Sequence, residues 1–399
     1  MKHRLGRALT AATLAGAAVA GTAGLAAGSR ETAVTGPPPG TASWLADGTL
    51  GRRLPDPGRA GPERIAAFFA GLGRQQRTTL AVRHPLVVGN LDGAPTALRY
   101  AANHRALQAE RRRQRARAVD PALTLEDHRQ ARAKAARYAG LLTPGRQILA
   151  FDPRGRGQVA EVHGKLSTAQ RTAVIVPGSD IDLATFDRGG RNRYGTPAGM
   201  AAALRAGMAG RAPRTRTAVI SWVGYTTPVG FGPDAATSRL ADAGAPRLER
   251  FLHGLAQTGT PAPAVLCHSY GSVVCGRAAD GLGRRDAADL VVFGSPGMHA
   301  DSVAGLHTPV RVWAARDAGD WIGRVPNVQF LGLGHGNDPS AAGFGARVVS
   351  SARADGHAGY LAPGTASRAN FAAIALGAYD AVHCADGSRK CALGITGGS

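Results

Sequence analysis

A serine stands where an apolar run meets the start of a predicted helix. Residues 265–273 read Val-Leu-Cys-His-Ser-Tyr-Gly-Ser-Val, which places Ser269 in a sharp turn between a strand and a helix. Such a turn needs small neighbours. Gly271 supplies one of them, whereas the other small position is occupied by Cys267. A serine at this place could also be a simple helix N-cap, but the residues downstream favour a nucleophile.

A serine hydroxyl attacks a carbonyl only when a base takes its proton and an acid orients that base. The acid is expected in the loop after the apolar run 310–315, where Asp317 and Asp320 both occur. We favour Asp320, because the apolar residues that follow it can anchor the loop in the core. Asp317 remains the alternative acid, and either residue could instead cap its own loop.

The base is expected after the last strand, near the C-terminus. His357 fits best, since it lies in a loop just before a predicted terminal helix, 366–378. His335, which follows the apolar run 328–331 directly, is the alternative base and is otherwise expected to line the site. His268 precedes the nucleophile and is expected to be a packing or pocket-wall residue.

The oxyanion of a tetrahedral intermediate needs two preorganised donors. One is expected to be the backbone N–H of Tyr270, directly after the nucleophile. The other should come from the turn after the run 172–176, where Gly178 allows close approach and Ser179 or Asp180 offers its N–H. Three aromatic residues are expected to wall the acyl or leaving-group pocket, although they could equally be core: Trp222, Tyr225 and Phe231.

These residues require a scaffold in which strands alternate with helices. The runs 147–151 and 158–163 flank turn residues and predict a hairpin. Apolar strands then alternate with helical segments, which predicts a mostly parallel sheet covered on both faces. The expected strands are 172–176, 217–222, 264–267, 290–293, 310–314 and 328–331, and the expected helices are 196–208, 235–255 and 272–282.

Several stretches resemble a family of α/β-hydrolases from high-GC Gram-positive bacteria whose biological role is unassigned. The likeness covers about residues 62–380, and the family usually has Gly where Cys267 stands. It implies the α/β-hydrolase fold and serine-hydrolase chemistry, without naming a substrate. The matching stretches are 87–95, 99–103, 176–178, 267–271 and 356–364.

The chain divides into five parts by composition. Residues 1–28 have a signal-peptide pattern, with an uncleaved membrane anchor as the alternative, and 29–60 are expected to be a disordered Pro/Gly-rich linker. Residues 61–146 predict a helical leader, with helices at 62–72 and 95–117. A further helix starts at Thr124, where Asp127 completes a capping box. The hydrolase domain is expected at 147–383 and a tail at 384–399.

The four cysteines fit an exported protein. Cys384 and Cys391 lie close together in the tail, and we expect them to form a disulfide in an oxidising compartment. Cys267 and Cys275 lie in apolar surroundings and are expected to be buried free thiols. Neither the cysteines nor the histidines have metal-ligand spacing, and no metal or other cofactor is expected.

The formal net charge is +21, which favours association with anionic material at the cell surface. No aromatic residues interleave the basic stretch 105–117, so nucleic-acid binding is not expected. The leading hypothesis is a secreted hydrolase of a small or lipid-like ester, or of an amide. The alternatives are an inactive scaffold for an anionic partner and a different hydrolase-fold chemistry, such as that of a haloperoxidase or transacylase. A dinucleotide enzyme is disfavoured, because Gly155 and Gly157 lack the third glycine of that motif.

Overall fold

The computed structural model describes residues 30–395, apart from 191, 326, 328 and 331. The expected signal peptide lies outside the described residues. Within them, no helix combines the length and apolar character needed to cross a bilayer.

An eight-stranded sheet forms the centre of the molecule, with strand order β1-β2-β4-β3-β5-β6-β7-β10. β2 runs antiparallel to both of its neighbours, and the remaining pairs are parallel. β4, β5 and β6 are buried along their whole length, which explains their continuous apolar sequences. The strands are β1 Gln147–Asp152, β2 Gln158–Gly164, β3 Arg171–Val176, β4 Thr217–Val223, β5 Ala264–His268, β6 Asp289–Phe293, β7 Arg311–Ala315, β8 Gln329–Phe330, β9 Leu333–Gly334 and β10 Arg347–Val348.

The predicted hairpin and the predicted strand–helix alternation are confirmed, but the expected last strand is wrong. Gln329–Phe330 pairs with Leu333–Gly334 in a separate two-stranded ribbon. Gly332 and Gly334 both have positive φ, which turns the chain back on itself before it can join the main sheet. The edge strand beside β7 is β10 instead.

Helices cover both faces of the sheet and divide the core in two. α9 and α10 pack on one face and α7 and α11 on the other. The helices are α1 Thr41–Leu45, α2 Pro62–Ala70, α3 Arg74–Arg83, α4 Pro85–Gly89, α5 Thr96–Arg117, α6 Leu125–Leu141, α7 Pro197–Arg211, α8 Pro233–Ala236, α9 Arg239–Gln257, α10 Gly271–Ala278 and α11 Ala366–Leu376.

The N-terminal helices form their own small core and dock on the β1 side of the sheet. Asn90 and Asn103 make the attachment, since their side-chain amides donate to the Phe151 and Ile148 carbonyls of β1. The capping box at the start of α6 is confirmed. α3 was not predicted, because Arg and Gln dominate its sequence and hide its short apolar stripe.

The expectation of a disordered linker is wrong for residues 30–60. Trp44 is fully buried in the core of the N-terminal helices, and its indole N–H donates to the Pro55 carbonyl at 2.8 Å. Upstream of it, the Val34 N–H donates to Thr226 Oγ1 at 3.0 Å. Burial of one large aromatic side chain thus orders a segment whose composition alone suggested a flexible chain.

Candidate active site

Ser269 sits at the tip of the turn between β5 and α10 with φ of 53°, the left-handed region that non-glycine residues rarely enter. Such backbone conformations cost about 1–3 kcal/mol and persist where the surrounding structure enforces them. Gly271 is part of that enforcement, because a Cβ there would lie 2.5 Å from the Val176 carbonyl oxygen. The turn therefore has the geometry of a nucleophile elbow.

Cys267 and Cys275 form a disulfide, so the expectation of free thiols is wrong. The bond joins the end of β5 to the second turn of α10 and encloses Ser269 between its two ends. This explains how a cysteine occupies a position usually held by glycine: its sulfur is bonded to the helix that passes close by. The one predicted disulfide, Cys384–Cys391, is confirmed.

Asp320 and His357 meet on the carboxyl side of the sheet. His357 Nδ1 lies 2.9 and 3.0 Å from the two carboxylate oxygens of Asp320. The carboxylate has no solvent exposure, whereas 18% of the His357 side chain is exposed. The Ile322 N–H and the Tyr360 hydroxyl also donate to Asp320, at 2.9 and 2.7 Å. An acid held by these contacts fixes the imidazole tautomer with Nδ1 protonated and Nε2 free to act as a base.

The electrostatics of this pair favour an ionised acid. Burial raises the pKa of Asp320, but the hydrogen bond and charge of His357, with the Ile322 and Tyr360 donors, outweigh it and hold the pKa below its usual range. Burial also raises the pKa of the Tyr360 phenol. The phenol therefore stays protonated and continues to donate to the carboxylate.

His268 contacts both the backbone and the ring of His357. Its Nε2 lies 2.8 Å from the His357 carbonyl oxygen, and because a carbonyl only accepts, Nε2 carries the proton. Burial, helped by the nearby charge of His357, lowers the pKa of His268 to about 3, so this ring is neutral. The two rings lie 4.6 Å apart. The expected packing role of His268 thus includes a specific contact that holds the backbone of the candidate base.

The end of β6 contacts both Ser269 and His357. The Ser269 N–H donates to the Phe293 carbonyl at 3.0 Å. The next residue is Gly294, where a Cβ would lie 3.1 Å from ring atoms of His357. Among the described residues, the Ser269 hydroxyl has no hydrogen bond to His357 or to His335. Hydrogen bonds of this kind are often long in ligand-free enzymes and shorten when substrate binds.

The two predicted oxyanion donors lie on either side of the serine. Gly178 approaches so closely that a Cβ there would be 2.5 Å from Ser269 Cβ. Within the described ranges, the N–H groups of Ser179 and Tyr270 have no protein acceptor, which leaves both available to an oxyanion. The Asp180 N–H is not available, because it donates to the Pro228 carbonyl at 2.8 Å.

The two alternative residues occupy other positions. Asp317 accepts from the Gly356 N–H at 3.2 Å and so steadies the loop of the base without contacting its ring. His335 Nε2 lies 2.7 Å from the Ala235 carbonyl, and its ring packs edge-on against Tyr270. Burial lowers the pKa of His335. The structure therefore places His335 beside the residue that follows the nucleophile, turned toward α8.

The three expected pocket aromatics divide between core and surface. Trp222 and Tyr225 are buried in the core, stacked on each other, which is the core alternative rather than the expected pocket wall. Trp222 faces inward because β4 is covered on both sides. Phe231, farther along the same loop, is exposed. Sequence reasoning assigned no role to Tyr360, although it stands three residues after His357. The apolar residues after Asp320 were expected to anchor their loop in the core; Ile322 is buried there, whereas Trp321 is exposed.

The predicted fold class is confirmed: the chain has the α/β-hydrolase fold. Residues 152–330 match the model of an α/β-hydrolase family. The strand order, with β2 antiparallel and the serine after β5, agrees with that match. The matched segment contains Ser269 and Asp320 and ends before His357.

Relatives are found in mycobacteria. An uncharacterized protein of Mycobacterium tuberculosis, matched in two strains, is 30% identical in an alignment 388 residues long that covers 83% of this chain and 58% of the relative. The chain thus spans less than two thirds of the length of these relatives. Their source agrees with the resemblance to proteins of high-GC Gram-positive bacteria.

Among solved structures, a 2,6-dihydroxy-pseudo-oxynicotine hydrolase is similar with a TM-score of 0.30 and 12% identity, over 71% of this chain and 79% of that one. A likeness of this size carries no functional argument.

Proposed function

We propose that this protein is a serine hydrolase that cleaves an ester, or an amide, through an acyl-Ser269 intermediate. The observation that carries the proposal is the contact between the buried Asp320 and the partly exposed His357, at the end of the sheet where the strained serine stands. The same order of serine, acid and histidine along the chain supports it.

The reaction follows from the roles of these groups. The Ser269 oxygen attacks the substrate carbonyl carbon while His357 Nε2 takes the hydroxyl proton. The N–H groups of Tyr270 and Ser179 stabilise the oxyanion. His357 then donates this proton to the leaving alcohol or amine as the bond between that group and the carbonyl carbon breaks. The acyl group remains bound to the Ser269 oxygen. A water molecule, deprotonated by His357, releases the acid and restores the serine.

A fluorophosphonate probe tests the nucleophile directly. We expect the wild-type protein to be labelled on Ser269 and the Ser269→Ala variant to remain unlabelled. A matched control is Ser272→Ala, which alters a nearby buried serine whose hydroxyl donates to the Cys267 carbonyl; labelling should persist there. Absence of label on the folded wild-type protein would end the proposal.

Replacement of the histidines distinguishes the two candidate bases. We expect His357→Ala to lower ester turnover by roughly 10⁴-fold, as loss of a triad base does. His335→Ala should lower it much less, because that imidazole is turned toward the Ala235 carbonyl. The reverse result would assign the base to His335.

Export is part of this proposal. All four cysteines are paired in disulfides, which persist in oxidising compartments outside the cytosol. The signal-peptide pattern of residues 1–28 points the same way, and an uncleaved anchor remains the alternative. N-terminal sequencing of the protein recovered from culture medium and from membranes separates cleavage near residue 28 from retention of the segment.

A catalytically silent scaffold that binds anionic surface material is the second candidate. The net charge of +21 favours it, as does the missing hydrogen bond between the serine and His357. Binding to isolated cell-wall polymers that persists in Ser269→Ala, together with a lack of fluorophosphonate labelling, would favour this candidate over the enzyme.

A further inference from the structure

Two aromatic side chains are exposed side by side next to His357. Phe231 is 83% exposed and Trp321 is 39% exposed, and their rings lie 5.0 Å apart, nearly perpendicular. Val229 and Val325, each two to four residues away along the chain, are exposed as well. Contiguous exposed apolar side chains commonly mark a binding site.

This aromatic pair, Phe231 and Trp321, joins loops from opposite sides of the nucleophile. Phe231 belongs to the loop after β4, and Trp321 to the loop after β7. In the sheet, β3, β5 and β6 lie between those two strands, and Ser269 follows β5. The contact between the rings therefore spans the edge of the sheet from which the serine projects.

Each member of the pair is held in place by residues of the candidate site. The Trp321 ring centroid lies 4.8 Å from that of His357. The loop that carries Phe231 is fixed to the oxyanion turn, since Asp180 donates its N–H to the Pro228 carbonyl and accepts from the Gly230 N–H, both at 2.8 Å. Trp321 thus lies against the candidate base, and Phe231 lies against Trp321 on a loop that is fixed to the oxyanion turn.

We propose that Phe231 and Trp321 form the recognition surface for an extended apolar group of the substrate, attached on the acyl or the alcohol side of the scissile bond. The two aromatic rings offer apolar contact, and a chain lying on them would bury surface that is now exposed to water. Selectivity for esters with a long apolar chain over short-chain esters follows. This inference rests on the proposed hydrolase function and names its substrate class.

The kinetic experiment compares p-nitrophenyl acetate with p-nitrophenyl octanoate, and ethyl acetate with octyl acetate, below their aggregation limits. We expect Phe231→Ala to lower kcat/KM for the long-chain ester of at least one series by about tenfold, and to change kcat/KM for p-nitrophenyl acetate and ethyl acetate by less than about twofold. The series that responds identifies the acyl or the alcohol side. Leu125→Ala, which truncates a 72% exposed leucine at the start of α6, is the matched control and should change neither.

A second readout does not depend on turnover. Trp321 is the exposed member of the four tryptophans; the others are buried, namely Trp44, Trp222 and Trp313. In the Ser269→Ala variant, ethyl octanoate or octyl acetate should protect tryptophan fluorescence from acrylamide quenching, whereas ethyl acetate should not. Trp321→Phe should abolish the protected signal.

The outcomes separate this inference from the proposed function. Equal losses for short and long esters in Phe231→Ala, or no loss for either, would overturn the recognition role while leaving an active serine hydrolase. If neither ethyl octanoate nor octyl acetate protects the tryptophan fluorescence, the recognition role is overturned as well. A wild-type protein that hydrolyses no ester and takes no fluorophosphonate label would instead refute the proposed function, and quenching would still report whether apolar chains bind.

Discussion

Replacing Cys267 and Cys275 together by alanine removes a covalent link that encloses Ser269. The two Cα atoms lie 6.5 Å apart, one near the end of β5 and one in α10, and both side chains are fully buried. The molecule contains its own control, because Cys384 and Cys391 form a disulfide of nearly the same span in the tail.

The stabilisation expected from each bond follows from the number of residues between its ends. The sequence separation is 8 for the elbow disulfide, Cys267–Cys275, and 7 for the tail disulfide, Cys384–Cys391. The loss of chain entropy in the unfolded state then gives about 2.5 kcal/mol for each bond at room temperature. The two double alanine variants should therefore lose nearly equal free energy of unfolding.

The variants should differ in catalysis. Only the elbow disulfide fixes the segments on both sides of Ser269, whose φ of 53° must be held against its local preference. Because small displacements of a reacting group are costly, we expect kcat/KM to fall by about tenfold or more in the elbow variant and to stay within about twofold in the tail variant. Urea denaturation gives the stabilities, and ester hydrolysis with fluorophosphonate labelling rates gives the activities.

Two results would refute this reasoning. Unchanged activity in an elbow variant that has lost the expected stability would show that packing alone positions the serine. Equal losses of activity in both variants would show that activity follows global stability. Thiol titration of the unfolded wild-type protein checks the premise, since neither disulfide should yield free thiols without reductant.

Three further predictions concern the neighbours of the nucleophile. Gly178→Ala should abolish fluorophosphonate labelling, since the added Cβ would lie 2.5 Å from the Cβ of Ser269. Circular dichroism should show that the variant still folds, and normal labelling would contradict the described turn. Asp320→Asn should lower ester kcat by roughly 10⁴-fold and Asp317→Asn far less, because only the former contacts the imidazole; equal losses would reopen the choice of acid. The pKa of His268 is about 3 in the folded protein and about 6.5 in the unfolded chain, so the unfolded state binds the proton first as the pH falls. The free energy of unfolding should therefore fall by about 1.4 kcal/mol per pH unit between pH 6.5 and pH 3. His268→Gln should flatten that slope in urea titrations, and an unchanged slope would assign the acid sensitivity elsewhere.

The sheet and the candidate site differ in how far local sequence predicts them. Strands such as β4 and β5 are continuous apolar runs, and a strand buried on both faces can have hardly any other composition. The prediction of the last strand was wrong, because two glycines turn that segment into a separate two-stranded ribbon. The true edge strand, β10, is only two residues long. A segment that short has too little pattern to be recognised.

Within the site, the sequence by itself determined which residue types stand after which strands. Ser269, Asp320 and His357 were predicted in this way, because in a parallel sheet the loops that follow the strands meet at one edge. Only the tertiary structure decided that Asp320 rather than Asp317 contacts the imidazole, and that Trp222 faces the core while Phe231 faces the solvent. It also paired Cys267 with Cys275. These three outcomes depend on distances between segments that are far apart in the chain or on the direction in which a side chain points. The order of residues along a loop encodes neither the distances nor the directions.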